Sequence, residues 1–151
     1  MPIKLPKLIA IDHDDYHAEF VGKTPNGKQF FLTEPFEPTT PMQAGNEFVA
    51  LFLFDRKGKF LEAFIDEFGP RASMDTSARD AMVEKRLAQL GDVSFERIEI
   101  APFQVEKFGT IFGLIPNEMG EEDDEDDLSI SLMPGDYMAF SEPWDSGDYD
   151  T

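Results

Sequence analysis

Asn46-Glu47-Phe48-Val49-Ala50-Leu51-Phe52-Leu53-Phe54 is the most apolar stretch of the chain. Its hydrophobic residues are nearly continuous instead of alternating, which is typical of a central strand that is covered on both faces. Asp55-Arg56-Lys57-Gly58 has the composition of a tight turn, and 59–68 is predicted to return beside 46–54 until Gly69-Pro70 stops it. A sheet built around 46–54 is therefore the expected framework of the fold.

Further strands are predicted on both sides of this pair. Thr24-Pro25-Asn26-Gly27 predicts a turn, because Asn-Gly adopts positive φ at low steric cost, so 16–22 and 28–33 should form a hairpin. The segment 34–45 contains three prolines and is expected to be a long extended loop. Short apolar or alternating runs predict additional strands at 94–100, 103–106, 110–115, 128–132 and 137–140.

A single helix is predicted at 76–90. Asp75 or Ser77 can cap its N-terminus, and Gly91 follows at the position where a left-handed residue commonly ends a helix. Apolar residues at spacings of four and three form one narrow face that should pack on the sheet: Val83, Leu87 and Leu90. The basic residues of this helix are expected either to form a solvated face or to dock the acidic tail: Arg79, Lys85 and Arg86.

These elements predict an α+β fold. We expect a mostly antiparallel sheet of about seven to nine short strands, with the one helix packed across it. A chain of 151 residues with 41% hydrophobic residues is large enough to bury a core, so 1–151 is predicted to form a single domain.

The composition excludes several classes of site. Because the chain has no cysteine, it has no disulfide, no thiol nucleophile and no cysteine-ligated zinc or iron–sulfur centre. No apolar stretch reaches the roughly 18 residues that a membrane-spanning helix needs, and Asp12 ends the broken apolar run at the N-terminus. Neither a signal peptide nor a membrane anchor is expected, and the prediction is a cytoplasmic protein without a cofactor.

Negative charge is concentrated towards the C-terminus. The formal net charge is −18, and 116–151 holds 13 of the 31 acidic residues and none of the 13 basic ones. Within a predicted acidic loop, 118–127, seven acids are contiguous: Glu121, Glu122, Asp123, Asp124, Glu125, Asp126 and Asp127. Neighbouring like charges repel each other, which favours a mobile, solvated loop. The alternative is that the loop steers or holds a basic protein partner.

The C-terminal tail, 141–151, carries the only tryptophan among acidic residues. Trp144, Asp145 and Tyr149 are candidate partner-binding residues, because tryptophan and tyrosine are common anchors of protein interfaces. The two aromatic side chains would serve equally well as a plug that ties the terminus onto the core.

Two candidate metal sites have weak patterns. A calcium loop that starts at Asp123 needs glycine at its sixth place and glutamate at its twelfth, where the chain has Leu128 and Pro134. His13 and His17 lie four apart among aspartates, which would suit a divalent metal on a helix. In the expected extended segment they are roughly 13 Å apart, so surface histidines are the alternative to a metal site.

Several short motifs are spread over nearly the whole chain. They are His13…Asp15-Tyr16, Gln29-Phe30, Phe54-Asp55-x-x-Gly58, Ile100-x-Pro102-Phe103, Phe112-Gly113-Leu114 and the ending Pro143-Trp144-Asp145-Ser146-Gly147-x-Tyr149-Asp150-Thr151. With these motifs the chain resembles a small family of bacterial proteins labelled formate hydrogenlyase regulatory protein. The resemblance implies a bacterial, cytoplasmic, single-domain protein and carries over no catalytic residue. The chain has no helix-turn-helix pattern.

The predicted function is a non-enzymatic, acidic protein-binding module, for example an immunity or inhibitor protein that caps a basic toxin. One alternative is a regulatory protein of an operon or a metabolic enzyme that acts through protein contacts. Another is a metal-binding protein or enzyme that uses His13, His17 and nearby acids. A pI near 4.2 argues against direct binding to nucleic acid or to anionic membranes, because both are negatively charged. The sequence predicts no oligomeric state.

Overall fold

The computed structural model of the protein describes residues 7–13, 20–37, 39–42, 44–116, 129–134, 138–141 and 147–149. Within these ranges the chain forms thirteen strands and one α-helix. In chain order the elements are β1 (Ile9–Ile11), β2 (Phe20–Lys23), β3 (Gln29–Thr33), β4 (Phe36–Glu37), β5 (Asn46–Phe54), β6 (Phe60–Gly69), α1 (Thr76–Leu90), β7 (Ser94–Phe95), β8 (Ile98–Ile100), β9 (Gln104–Lys107), β10 (Thr110–Pro116), β11 (Ser129–Met133), β12 (Met138–Ser141) and β13 (Gly147–Tyr149).

The strands form three sheets, and every strand pair is antiparallel. In the central six-stranded sheet, β5 pairs with β6 on one edge and with β3 and β4 on the other, and β2 and β7 follow β3. The second sheet has the order β13-β12-β11-β10-β9, and β1 pairs with β8. The predicted α+β fold, mostly antiparallel with one helix, is confirmed.

The strand β5 carries the core, as its continuous hydrophobicity predicts. Eight of its nine residues are buried. Because successive side chains point to opposite faces of a strand, β5 contributes to two clusters. Phe48, Phe52 and Phe54 pack with residues of β1, β8 and the second sheet, whereas Leu51 and Leu53 pack in the cluster that α1 covers. The central sheet therefore lies between the helix and the two smaller sheets.

The helix α1 has the predicted bounds and caps. The Asp75 side chain accepts a hydrogen bond from the backbone N–H of Ala78 at 3.1 Å, and Gly91 ends the helix with φ of 85°. Its apolar face packs on the sheet as expected, with Val83 buried and two further residues partly buried: Leu87 and Leu90.

Two of the three basic residues on this helix have acidic partners within the folded body. The Arg86 guanidinium holds both carboxylate oxygens of Asp66 on β6 at 2.8 to 3.0 Å and lies 5.2 Å from the Phe64 ring centroid. Arg79 pairs with Glu34 and with Asp80. Arg86 therefore fastens the helix to the sheet, because it joins the helix to a strand through two kinds of contact.

The structure has more strands than the seven to nine that the sequence predicts. The three-residue β1, the two-residue β4 and the C-terminal β13 add to the expected set. The predicted strand 94–100 is two strands, because β7 pairs with β2 and β8 pairs with β1. Between them, the Glu96 N–H donates to the Val21 carbonyl, so this N–H stays hydrogen-bonded where the chain changes sheets.

Candidate functional site

One candidate surface is the outer edge of β6, which we name the β6 edge. This strand is ten residues long, and β5 is the strand that pairs with it in the described part of the chain. Only Ile65 is buried, whereas every other residue of β6 is partly or fully exposed. An unpaired strand edge presents backbone N–H and C=O groups to which another extended chain can bond.

The side chains along the β6 edge are acidic. Residues 60–69 contain three acids and no basic residue. Asp66 is neutralised by Arg86, but Glu62 and Glu67 are exposed, and Glu67 accepts a hydrogen bond from the Asn46 amide at 2.7 Å. Among the described residues, neither glutamate has a cationic partner. The edge therefore favours a positively charged chain.

The acidic residues of β6 also disfavour pairing between two copies of the protein. If two β6 edges paired antiparallel about Phe64, Glu62 of one copy would lie opposite Asp66 of the other. Like charges that lie directly opposite each other destabilise a strand pair. The edge thus discriminates between a second copy and a basic segment.

The second candidate surface is a groove beside the turn between β5 and β6. We name it the lysine groove, and its volume is about 570 Å³. Its apolar floor is formed by Leu8, Phe60 and Phe103, and three lysines lie around this floor: Lys7, Lys57 and Lys59. All three lysines are exposed, and none of them forms an ion pair with another described residue. This positive surface is local, since the whole chain carries −18.

The turn that carries two of these lysines is held by Asp55. One carboxylate oxygen of Asp55 accepts hydrogen bonds from the backbone N–H groups of Lys57 and Lys59, both at 2.9 Å. These bonds, the one from Lys59 foremost, hold the pKa of Asp55 below its usual value, and the nearby positive charge of Lys59 acts in the same direction. The turn is therefore fixed by the ionised carboxylate.

Gly58 fastens the same turn to β8. Its backbone has φ of 92°, and a Cβ atom at this position would lie 2.6 Å from the Glu99 carbonyl oxygen. The Gly58 carbonyl accepts a hydrogen bond from the Ala101 N–H at 2.9 Å. Only glycine satisfies both the backbone conformation and the close approach.

Gln29 also connects the β5–β6 turn to β8. Its side chain is 4% exposed and donates to the carbonyls of Asp55 at 3.1 Å and Glu99 at 2.9 Å, while its own amide oxygen accepts from the Glu99 N–H at 2.7 Å. One buried amide thus joins β3, the β5–β6 turn and β8. Gln29, Asp55 and Gly58 all belong to the motifs on which the family resemblance depends, and the structure gives each of them an architectural role.

A smaller groove of about 340 Å³ adjoins the first and shares Leu8 and Lys57 with it. Two of its cations are already paired: Lys23 with Glu96 at 3.2 Å and Arg97 with Asp12 at 3.2 Å. Hydrogen bonds from Ser94 and then from Lys23 lower the pKa of Glu96. This groove therefore has less uncompensated positive charge than the lysine groove.

The predicted partner-binding residues lie mainly outside the described part of the chain. This holds for the seven contiguous acids, Glu121 to Asp127, and for Trp144 and Asp145. Tyr149 lies in β13, where its backbone pairs with that of Met138; the structure describes this backbone but not the Tyr149 side chain. Their roles in binding stay predictions.

The structure describes one of the two candidate metal ligands. His13 stacks on Phe95, with ring centroids 5.7 Å apart, while His17 lies outside the described residues. Within the ranges that the structure describes, no group of three or more His, Cys, Asp or Glu side chains could hold a metal ion.

Neither the β6 edge nor the lysine groove was predicted as a site from the sequence. The available signals were the absence of basic residues in 60–69 and three basic residues within 56–59. Locally these signals indicate only a strand and a turn, because neither shows which side of the strand is unpaired or which distant residues lie beside the turn.

The one helix in the described part of the chain, with 15 residues, is too short to cross a bilayer. Comparison with known proteins found no matching family model, no similar curated protein and no similar solved structure.

Proposed function

We propose that the protein is a non-enzymatic binding module that takes up an extended, basic segment of a protein partner along the β6 edge. The observation that carries this proposal is a ten-residue strand with an edge that no described residue pairs. At about 3.3 Å per residue, it offers a surface about 33 Å long. In this mode of recognition, main-chain hydrogen bonds supply affinity and the flanking side chains supply specificity.

The charge of the chain supports a basic partner. Exposed Glu62 and Glu67 would pair with lysine or arginine on the incoming strand, and they lie on opposite faces of β6 because they are an odd number of residues apart. The segment 116–151 adds −13 of the net charge. Its long-range field would raise the association rate of a cationic protein in a salt-dependent way.

Two biological roles would use this binding mode. An immunity or inhibitor protein would cap a cationic toxin, and a regulator would hold a basic segment of an enzyme or transcription factor. The resemblance to formate hydrogenlyase regulatory proteins implies the second role. Both roles require the same contact, so the contact is what we test first.

The direct test uses a lysine-valine peptide that is as long as β6 and repeats Lys-Lys-Val-Val, so that both of its faces carry lysine. Binding to the wild-type protein is compared with binding to E62K/E67K by calorimetry. A matched control is E84K/D92K, which changes the net charge equally at two exposed acids away from the β6 edge. We expect the edge variant to bind at least about tenfold more weakly, because like charges then face each other across the strand pair.

The control variant should lose no more than about threefold, since it weakens only the long-range attraction. A counterpart peptide of glutamate and valine should not bind the wild-type protein. If both double variants weaken binding equally, the peptide responds to net charge alone and the assignment to the β6 edge is wrong.

A further inference from the structure

We infer that the lysine groove binds a small ligand that joins a negatively charged group to an apolar body. This inference is independent of the β6 edge, because it depends on a different surface and on ligands of opposite charge. Lys7, Lys57 and Lys59 are exposed and form no ion pair with another described residue. Three ammonium groups that line one groove attract an anion, although the Asp55 carboxylate partly offsets the charge of Lys59.

The apolar floor of the groove favours a ligand that has an apolar body. The rings of Phe60 and Phe103 stack with centroids 5.1 Å apart and an interplanar angle of 12°. Phe103 in turn packs edge-to-face against Phe52 and Phe54, which belong to the core. The floor is therefore a rigid extension of the hydrophobic core, and Leu8, 38% exposed, forms its outer wall. The groove volume, about 570 Å³, is of the size that accommodates small molecules.

The rim is organised before any ligand arrives. The backbone N–H groups of Lys57 and Lys59 are both fixed to Asp55, and the Gly58 carbonyl is fixed to Ala101. Binding therefore has to order only the lysine side chains and not the loop that carries them. This lowers the entropic cost of binding relative to a flexible basic loop.

The overall charge of the chain restricts the size of the anion. A polyanion such as nucleic acid would experience repulsion from the net charge of −18 over many contacts. A compact anion responds mainly to the three nearby lysines, because more distant charges are screened beyond about 8 Å at physiological salt. The chemistry thus favours a carboxylate or a phosphate on a small apolar body.

The test titrates three compounds that share one alkyl chain: decanoate, decyl phosphate and uncharged decanol. Binding is measured by calorimetry and located by amide chemical-shift changes at Ala101 and Gln104, which line the groove. We expect at least one of the two anions to bind at least about tenfold more tightly than decanol, the ratio that charge-assisted hydrogen bonds produce. The anion that binds more tightly identifies the head group.

The variant K57A/K59A keeps both backbone N–H donors to Asp55 and should lose at least about tenfold in affinity for that anion. A control, K85A, removes an exposed lysine from α1 and should change the affinity by less than about twofold. Three results would each overturn the inference: neither anion binds, decanol binds as tightly as the anions, or K57A/K59A binds as tightly as the wild-type protein.

Discussion

The neighbouring strands β5 and β6 are both rich in phenylalanine and leucine, yet they differ in their environment. Eight of the nine residues of β5 are buried, whereas one of the ten residues of β6 is buried. The difference arises from position, since β5 is paired on both edges and β6 on one edge within the described chain. A strand with two paired edges supplies stability, and a strand with one free edge is available for binding.

The largest effect expected from this comparison is on stability. Phe52→Ala on β5 should lower the free energy of unfolding by about 3–5 kcal/mol, because it leaves a cavity in the core. Leu61→Ala on β6 removes a side chain that is 45% exposed and should change it by no more than about 0.5 kcal/mol. Urea denaturation of both variants measures the difference, and equal losses would show that the two strands do not differ as described.

A second prediction compares Gly58, in the turn before β6, with Gly69, the last residue of β6. Gly58 and Gly69 have φ of 92° and 80°, but an added Cβ would lie 2.6 Å from the Glu99 oxygen at Gly58 and meet nothing within 4 Å at Gly69. Gly69→Ala should cost about 1 kcal/mol for the left-handed backbone alone.

Gly58→Ala should cost about 2–3 kcal/mol, because a steric clash is added to the backbone cost. The difference in unfolding free energy between the two variants measures the close approach of the turn to β8 and to the Leu8 side chain. If the two variants lose the same stability, the turn is not held against β8 by this close approach.

The third prediction concerns the attachment of the helix to β6. Arg86→Ala removes the bidentate contact to Asp66 and the stacking on Phe64, and should cost about 1–2 kcal/mol in a partly buried site. The adjacent exposed Lys85→Ala is the control and should cost less than about 0.5 kcal/mol. Thermal denaturation of both variants measures the difference. If both melted at the wild-type temperature, the attachment of the helix to β6 through Arg86 would be contradicted.

The smallest predicted effect is the pH dependence of Asp55. Because its pKa is lower in the folded protein than in the unfolded chain, its ionised form stabilises the fold above the unfolded pKa, about 4. This contribution is lost as the pH falls through the folded pKa. Asp55→Asn keeps an oxygen acceptor but does not titrate.

The difference in unfolding free energy between the wild-type protein and Asp55→Asn should therefore shrink as the pH falls below about 4. Urea denaturation at a series of pH values measures it. A difference that stays constant down to the folded pKa would mean that the carboxylate charge does not hold the turn.

Elements with strong local signals could be predicted from the sequence. The continuous apolar run 46–54 gave the central strand, and Asp75 and Gly91 marked the ends of the helix at 76–90. These signals are sufficient because burial on both faces and helix capping are encoded by residues adjacent in the chain.

Elements that depend on distant partners could not be predicted in the same way. The alternation of 94–100 is continuous, but its two halves pair with β2 and β1 in different sheets, which no local pattern encodes. The lysine groove has the same origin, because Lys7 and Lys57 line one groove in a fold where β1 pairs with β8 and Gly58 packs on Glu99. The edge of β6 that no described residue pairs is likewise a property of the sheet order.

The most direct test of the account is amide hydrogen exchange across β5 and β6 with and without the lysine-valine peptide. We predict that peptide binding slows exchange at the outward-facing amides of β6, because they become paired, while the amides of β5 keep the protection they already have. Binding of the peptide with unchanged exchange along β6 would contradict the proposal that the β6 edge is the docking site.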